Sequence, residues 1–185
     1  NYAASCSTTT LHTAPCARKA QHGCAPHRHM AAALADCLKQ AGAELDLERT
    51  VIELAQQQED GTIREAVFDL YVLLPGSTSP YYIDVTISCP HAVRYPATAT
   101  TPGYAAAQGI SQKEERYGSQ VIAIALETHG RFASAGTTGL EFRAACAADQ
   151  LKDRWAAPRL LPEWKDSISR AVIFATADVD SMCLG

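Results

Sequence analysis

Apolar positions along this chain switch between a helical and a strand period, and the switches mark out its elements. Between residues 29 and 41, Met30, Ala33, Leu34, Cys37, Leu38 and Ala41 recur three or four apart and Gly42 follows, which predicts a helix and its stop. Leu45 and Leu47 alternate with Glu44, Asp46 and Glu48 and run into Val51 and Ile52, the pattern of a half-exposed strand. After the polar turn QQQEDG (56–61), residues 66–89, AVFDLYVLLPGSTSPYYIDVTISC, read as two apolar strands around a proline-flanked turn. Pro90, Pro96 and Pro102 predict a loop over 89–103. YAAAQGISQKEERY (104–117) predicts a helix, weakened at Gly109 by about 1 kcal/mol relative to alanine. SQVIAIAL (119–126) predicts a buried strand. A glycine-rich connection leads to a helix over 139–155, and Pro158 and Pro162 precede a last helix over 164–176. Helix, three strands, helix, strand and two helices predict an α/β fold, a mixed central β-sheet flanked by helices behind an irregular N-terminus that contains cysteines and histidines.

Two features of the 66–89 hairpin point to chemistry. Each strand carries one carboxylate, Asp69 and Asp84, and a carboxylate within an apolar strand is costly to bury unless something pairs with it. If Leu74 pairs with Tyr81 across the turn, Asp69 falls opposite Thr86 and Asp84 is its diagonal neighbour on one face, about 7–8 Å away at the backbone. Two carboxylates in that arrangement repel unless they share a cation, and all-oxygen ligands select Mg²⁺ or Mn²⁺ over zinc. Glu48 on the preceding strand is a candidate third carboxylate. The helix that follows offers Lys113 as the cation to orient water, with Tyr117 one turn further on the same face.

Charge and cysteine usage narrow the picture. A net charge of −4 argues against a protein that coats nucleic acid by general basicity, but a local basic face or a site metal still serves. Seven cysteines, an odd number, without a basic-then-apolar secretory segment, predict reduced thiols or metal ligands and an intracellular protein. No apolar run approaches the roughly 20 residues that cross a bilayer. Cys6, His12 and Cys16, followed by His22, Cys24 and His27, mix thiolate and imidazole at short spacings that suit structural zinc. A start at Asn1 rather than methionine suggests a piece of something longer. Arg64, Arg94, Arg116 and Arg131 are candidate phosphate contacts by residue type alone.

Taken together, these residues resemble the restriction-like endonuclease domain of site-specific non-LTR retrotransposon polyproteins, a branch of the PD-(D/E)XK nuclease superfamily that lies C-terminal to a reverse transcriptase. The matching positions are His12 and Cys16 for a zinc-knuckle remnant and Arg28-His29-Met30 for a basic-His-polar triplet opening a helix. They continue with Asp69, Asp84 in IDVTIS, and Lys113 with Tyr117 on a helix. ALETHGRF (125–132) is similar to the stretch after the family's last core strand, and the likeness spans residues 11–145. The chain departs from the family at Val67-Phe68, where proline usually precedes the first aspartate, at Met30, and in the long segment between Asp84 and Lys113; Thr86, two residues after Asp84, offers no lysine.

The resemblance implies a restriction-endonuclease-like core over 28–155, a zinc-knuckle-like remnant over 1–27 with Cys6, His12 and Cys16 as zinc ligands, and a C-terminal helical extension over 156–185. It implies hydrolysis of double-stranded DNA to prime integration, with Asp69 and Asp84 holding Mg²⁺ or Mn²⁺, Lys113 positioning water, Tyr117 supporting it, and Arg28 and His29 contacting DNA. Element RNA and the reverse transcriptase domain of the same polyprotein are the implied partners, in the nucleus. Two alternatives stay open: a non-catalytic zinc-dependent nucleic-acid-binding module, and another PD-(D/E)XK nuclease such as a resolvase. The departures also fit a degenerate copy of reduced activity.

Overall fold

The helical period that opens this region forms α1 (Ala25–Gln40) in a computed structural model, which describes residues 25–133 and 156–183 apart from positions 76, 93, 96, 98, 99, 119 and 120. The helix begins four residues earlier than its apolar period predicts. Pro26 sits in the first turn, where its missing N–H would be unpaired anyway, and therefore starts the helix rather than blocking it. Gly42 ends it with a left-handed φ of 78°, its N–H bonded to the Lys39 carbonyl. The expected zinc ligands Cys6, His12 and Cys16, and the expected helix over 139–155, lie outside the described residues.

Three antiparallel strands follow, β1 (Glu44–Gln57), β2 (Ile63–Leu73) and β3 (Tyr81–Ser88), then α2 (Tyr104–Tyr117), β4 (Val121–Glu127) and α3 (Ala156–Cys183). The sheet order is β1-β2-β3-β4, with β4 parallel to β3. A parallel neighbour cannot be reached by a tight turn, so the chain crosses over through α2, which covers one face of the sheet. The expected α/β class with a mixed sheet flanked by helices is what the chain forms.

The other face carries the main core. Leu70, Ile83, Ile124 and Leu126 meet Leu34 and Leu38 of α1 and Trp164 and Ile168 of α3. Each such aliphatic side chain contributes about 1.5–3 kcal/mol by leaving water, and α3 is one wall of this core. It runs from Ala156 through Pro162, where the prolines predicted a break and a start only at 164. Proline within a helix costs about 3 kcal/mol, and Trp164 and Ile168, fully buried beyond it, offset that cost. Among the described residues no helix is long and apolar enough to cross a membrane.

The register of the central hairpin differs from the expected one. Val72, not Leu74, pairs with Tyr81, and the β2–β3 ladder runs only through Tyr71↔Tyr82 to Leu70↔Ile83. Beyond that point β2 pairs with β1 alone and β3 with β4 alone. The sheet therefore forks, and continuing the register by one step puts Asp69 opposite Asp84 at the crotch rather than opposite Thr86.

Candidate active site

Asp69 and Asp84 are the two carboxylates of the fork, with exposures of only 5% and 4%. The fork supplies the donors that make such burial tolerable. Where the ladder stops, the Val85 N–H would lack a partner, and Asp69 Oδ2 accepts from it at 2.7 Å. The Asp69 carboxylate thus replaces a strand carbonyl. His27, entering from α1, donates its Nε2–H to the Val85 carbonyl at 3.1 Å and lies 3.5 Å from the same Asp69 oxygen.

Lys113 completes the cluster from the opposite face, its Nζ 2.6 Å from Asp84 Oδ2. Its reach depends on how closely α2 approaches β3, and Gly109, one turn earlier on the same side of the helix, sets that approach. A Cβ at position 109 would lie 2.7 Å from Thr86 Cγ2 and 3.3 Å from Ser88 Oγ, closer than side chains pack. The glycine that weakens the isolated helix is therefore what seats it. Ala106 and Ala125 continue the seam of small residues.

The electrostatics divide the pair. Burial pushes the Asp84 carboxyl up to about 6; Lys113 opposes this and the Asp69 charge adds to it. Burial acts upward on Asp69 too, but the His27 hydrogen bond and charge, the Asp84 carboxyl and the Val85 N–H outweigh it and hold Asp69 below the usual carboxylate range. Burial would lower His27, yet Asp69, the Val85 carbonyl and Asp84 raise it above its ordinary value. At low pH a proton shared by the two carboxyls thus resides on Asp84, and Asp69 stays ionised against His27.

The remaining expected site residues are placed differently. Glu48 occupies the β1 position opposite Asp69, between the pairs Leu47↔Leu70 and Arg49↔Phe68, but is absent from the ladder. Its φ is 53° and its side chain is exposed. A left-handed glutamate inside a strand is strained by roughly 1–2 kcal/mol, and its side chain does not join the two aspartates in a three-ligand cluster. Tyr117 is buried with its ring edge-on to Phe68, centroids 5.0 Å apart. It wedges α2 against β2, and burial raises its phenol despite the adjacent Arg116. Arg28 and His29 are exposed at the start of α1. The histidine that enters the cluster is His27. It shares a helix face with Ala31, Leu34 and Leu38, a spacing visible in the sequence once the helix is allowed to start before Pro26.

Among the described residues no group of three or more His, Cys, Asp or Glu side chains is arranged to hold a metal ion. Zinc in a structural site wants four protein ligands, whereas Mg²⁺ is held by one or two carboxylates and completes its shell with water and phosphate. Two adjacent buried carboxylates, one of them driven toward protonation, fit the second case. No protein-family model, curated protein or solved structure matches this chain.

Proposed function

We propose that this chain is a divalent-metal-dependent endodeoxyribonuclease with a restriction-endonuclease-like core, of the kind that site-specific non-LTR retrotransposons carry C-terminal to their reverse transcriptase. The observation that carries the reading is the convergence of Asp69, Asp84 and Lys113 at the fork of a mixed sheet built in the order helix, three strands, helix, strand. Bound Mg²⁺ or Mn²⁺ supplies Lewis-acid polarisation of the scissile phosphate and a more acidic water.

The chain's own residues account for the rest. Asp69, kept ionised by His27 and the Val85 N–H, holds one oxygen donor at fixed orientation in a water-poor crotch. Burial raises the Asp84 carboxyl and the Asp69 charge adds to it, and a cation held by the two carboxylates would favour the ionised form of Asp84. With a metal bound, Lys113, the ion-pair partner of Asp84, would no longer have to offset that carboxylate. It is free to hold the attacking water or to neutralise charge on the phosphorane, an electrostatic role worth about 10²–10³ in rate for one donor. Double-stranded DNA is the substrate, and the freed 3′ end primes synthesis by a polymerase in the same polyprotein, with element RNA as template, in the nucleus. Cys6, His12 and Cys16 are the proposed zinc ligands.

Supercoiled plasmid nicking with 5–10 mM Mg²⁺ or Mn²⁺ tests the reading. The wild-type chain should nick, EDTA should stop it, and Asp84→Ala should lose at least about 10² in rate while retaining DNA in a mobility-shift assay. Retention without nicking under any divalent cation would leave the binding-only module as the function.

A further inference from the structure

Beyond the fork, β1 and β2 form a two-stranded arm whose shape sets two arginines side by side. The β1–β2 register shifts between Val51 and Gln56, where residues 52–55 bulge out of the ladder. Bulges bend and twist a strand pair. On the far side of this one, Gln56 pairs with Arg64 and its Nε2 donates to the Arg116 carbonyl at 2.6 Å. Gln56 is thus a strut between the arm and the last turn of α2, and it brings Arg64 and Arg116 together.

Neither guanidinium has an acidic partner within ion-pair distance among the described residues. Arg116 is held in place all the same, its guanidinium carbon 4.6 Å from the centroid of the Tyr117 ring, which is itself pinned on Phe68. Its Nε–H is shielded from solvent and has no acceptor among the described residues. A shielded donor without an acceptor costs about 1–3 kcal/mol, more when charged, and two neighbouring guanidiniums repel. Burial acts most strongly against the Arg116 charge and Arg64 adds to it, while Tyr117 and Asp84 act in its favour, so Arg116 lies within electrostatic reach of both Arg64 and the candidate active site. An anion between the two arginines would remove their mutual repulsion, and the planar fork of Arg116 suits a phosphate. Arg116 is three residues beyond Lys113, about 4.5 Å along the helix axis. Lys113 and Arg116 are thus about one helical turn apart, which places the arginine pair beside the lysine that faces Asp84.

We propose that Arg64 and Arg116, braced by Gln56 and Tyr117, form a subsite for the backbone phosphate next to the one that is cleaved. The inference rests on the nuclease reading and adds to it the element that sets the register of the strand over Asp69 and Asp84. It assigns the β1–β2 arm, with its bulge, a role in substrate positioning.

The test compares the wild-type chain with Arg64→Gln/Arg116→Gln and with Arg64→Gln alone, an exposed position whose loss leaves the fold intact. Binding to a 20–30 base-pair duplex is followed by fluorescence anisotropy in EDTA from 50 to 300 mM NaCl. Loss of one phosphate contact should reduce the slope of log K against log salt by about 0.9. Nicking should show KM raised about tenfold in the double variant, with kcat within about threefold and a melting temperature at or above that of the wild type. If the double variant fails to fold, Arg64→Gln alone must show part of the slope change and of the KM rise. An unchanged slope overturns the subsite, and because it is read without metal it decides the subsite whatever the plasmid assay returns. Absence of Mg²⁺-dependent nicking by the wild type overturns the nuclease reading instead.

Discussion

Replacing Asp84 with asparagine should make the metal-free protein more stable, although it removes the residue on which the proposed activity depends. The folded state moves the Asp84 carboxyl from 3.8 to about 6 even with Lys113 beside it. A carboxyl raised in this way stabilises the fold fully below about pH 3.8, and that contribution is lost as pH rises through about 6. By pH 7.5 the loss corresponds to roughly 3 kcal/mol. Asparagine has the shape of the protonated acid: its amide N–H can face Asp69 and its oxygen can still accept from Lys113. It should therefore recover about 1–3 kcal/mol at pH 7.5, which for a chain of this length is about 3–10 °C in melting temperature. The gain should vanish near pH 4, where the wild type carries the proton itself. Mg²⁺ should narrow the gap and at high concentration close it, since it adds about 1.4 kcal/mol at ten times its dissociation constant and about 2.7 kcal/mol at a hundred times to a protein that binds it, and nothing to the variant. Thermal melts of both proteins in EDTA at pH 4, 5.5 and 7.5, repeated with Mg²⁺, measure all of this. An Asp84→Asn protein that melts at or below the wild type at pH 7.5 in EDTA refutes the account of the carboxylate pair.

Two further outcomes follow from the packing. Gly109→Ala should destabilise by up to about 2 kcal/mol, because the overpacking penalty of about 1–3 kcal/mol outweighs the helix-propensity gain of about 1 kcal/mol; Thr86→Ser, which deletes the opposing methyl, should recover part of it in a chemical melt and part of any lost nicking. His27→Gln should destabilise at pH 6 and much less at pH 9, since a histidine raised by Asp69 contributes below its ordinary value of 6.5 and loses that contribution as pH climbs past its folded-state value; an equal effect at both pH values would mean that His27 acts through shape alone.

The parts of the fold legible in the sequence are those governed by one-dimensional period. The helical spacing of α1 and the apolar run of β4 name their elements because each buries one continuous face, and an apolar stretch separated from the next strand by a helix implies a parallel crossover. The hairpin register was not legible for a physical reason: a six-residue turn, PGSTSP, does not impose a pairing as a two-residue turn does. A two-step slip in the register sum kept Asp69 and Asp84 on one face but changed them from diagonal to opposed. The fork is invisible in one dimension, because β2 and β3 keep strand geometry after they separate; Phe68 packs on Tyr117 of α2 while Leu70, two residues on, packs in the core against α1, which a regular strand forbids. His27 was hidden because it closes a run of cysteines and histidines that suits zinc and precedes the first apolar position of the helical period, whereas the helix starts at Ala25. Glu48 kept its alternation in the sequence and lost it in the backbone, at a φ of 53°.

The absence of a lysine at position 86 and its presence at 113 are two consequences of one contact. A lysine two residues after Asp84 would project from β3 onto the face that α2 covers, where Thr86 meets the bare Cα of Gly109. The space is closed: a methyl group already fills it, and a lysine, which extends three heavy atoms beyond Cγ, needs the helix to move outward by more than the flexibility of a packed seam allows. Conversely, a lysine on α2 reaches Asp84 at 2.6 Å only because the helix is seated on threonine and glycine. A strand lysine requires a distant helix, and a helix lysine requires a small residue below it, so the two placements exclude each other. Transplanting the charge by Thr86→Lys in a Lys113→Ala background should therefore destabilise by about 2–4 kcal/mol, through overpacking and a buried ammonium, and should leave nicking at the level of Lys113→Ala alone. Recovery of nicking in that double variant, at undiminished stability, would show that α2 is not held by Gly109 and that the lysine is free to come from either element.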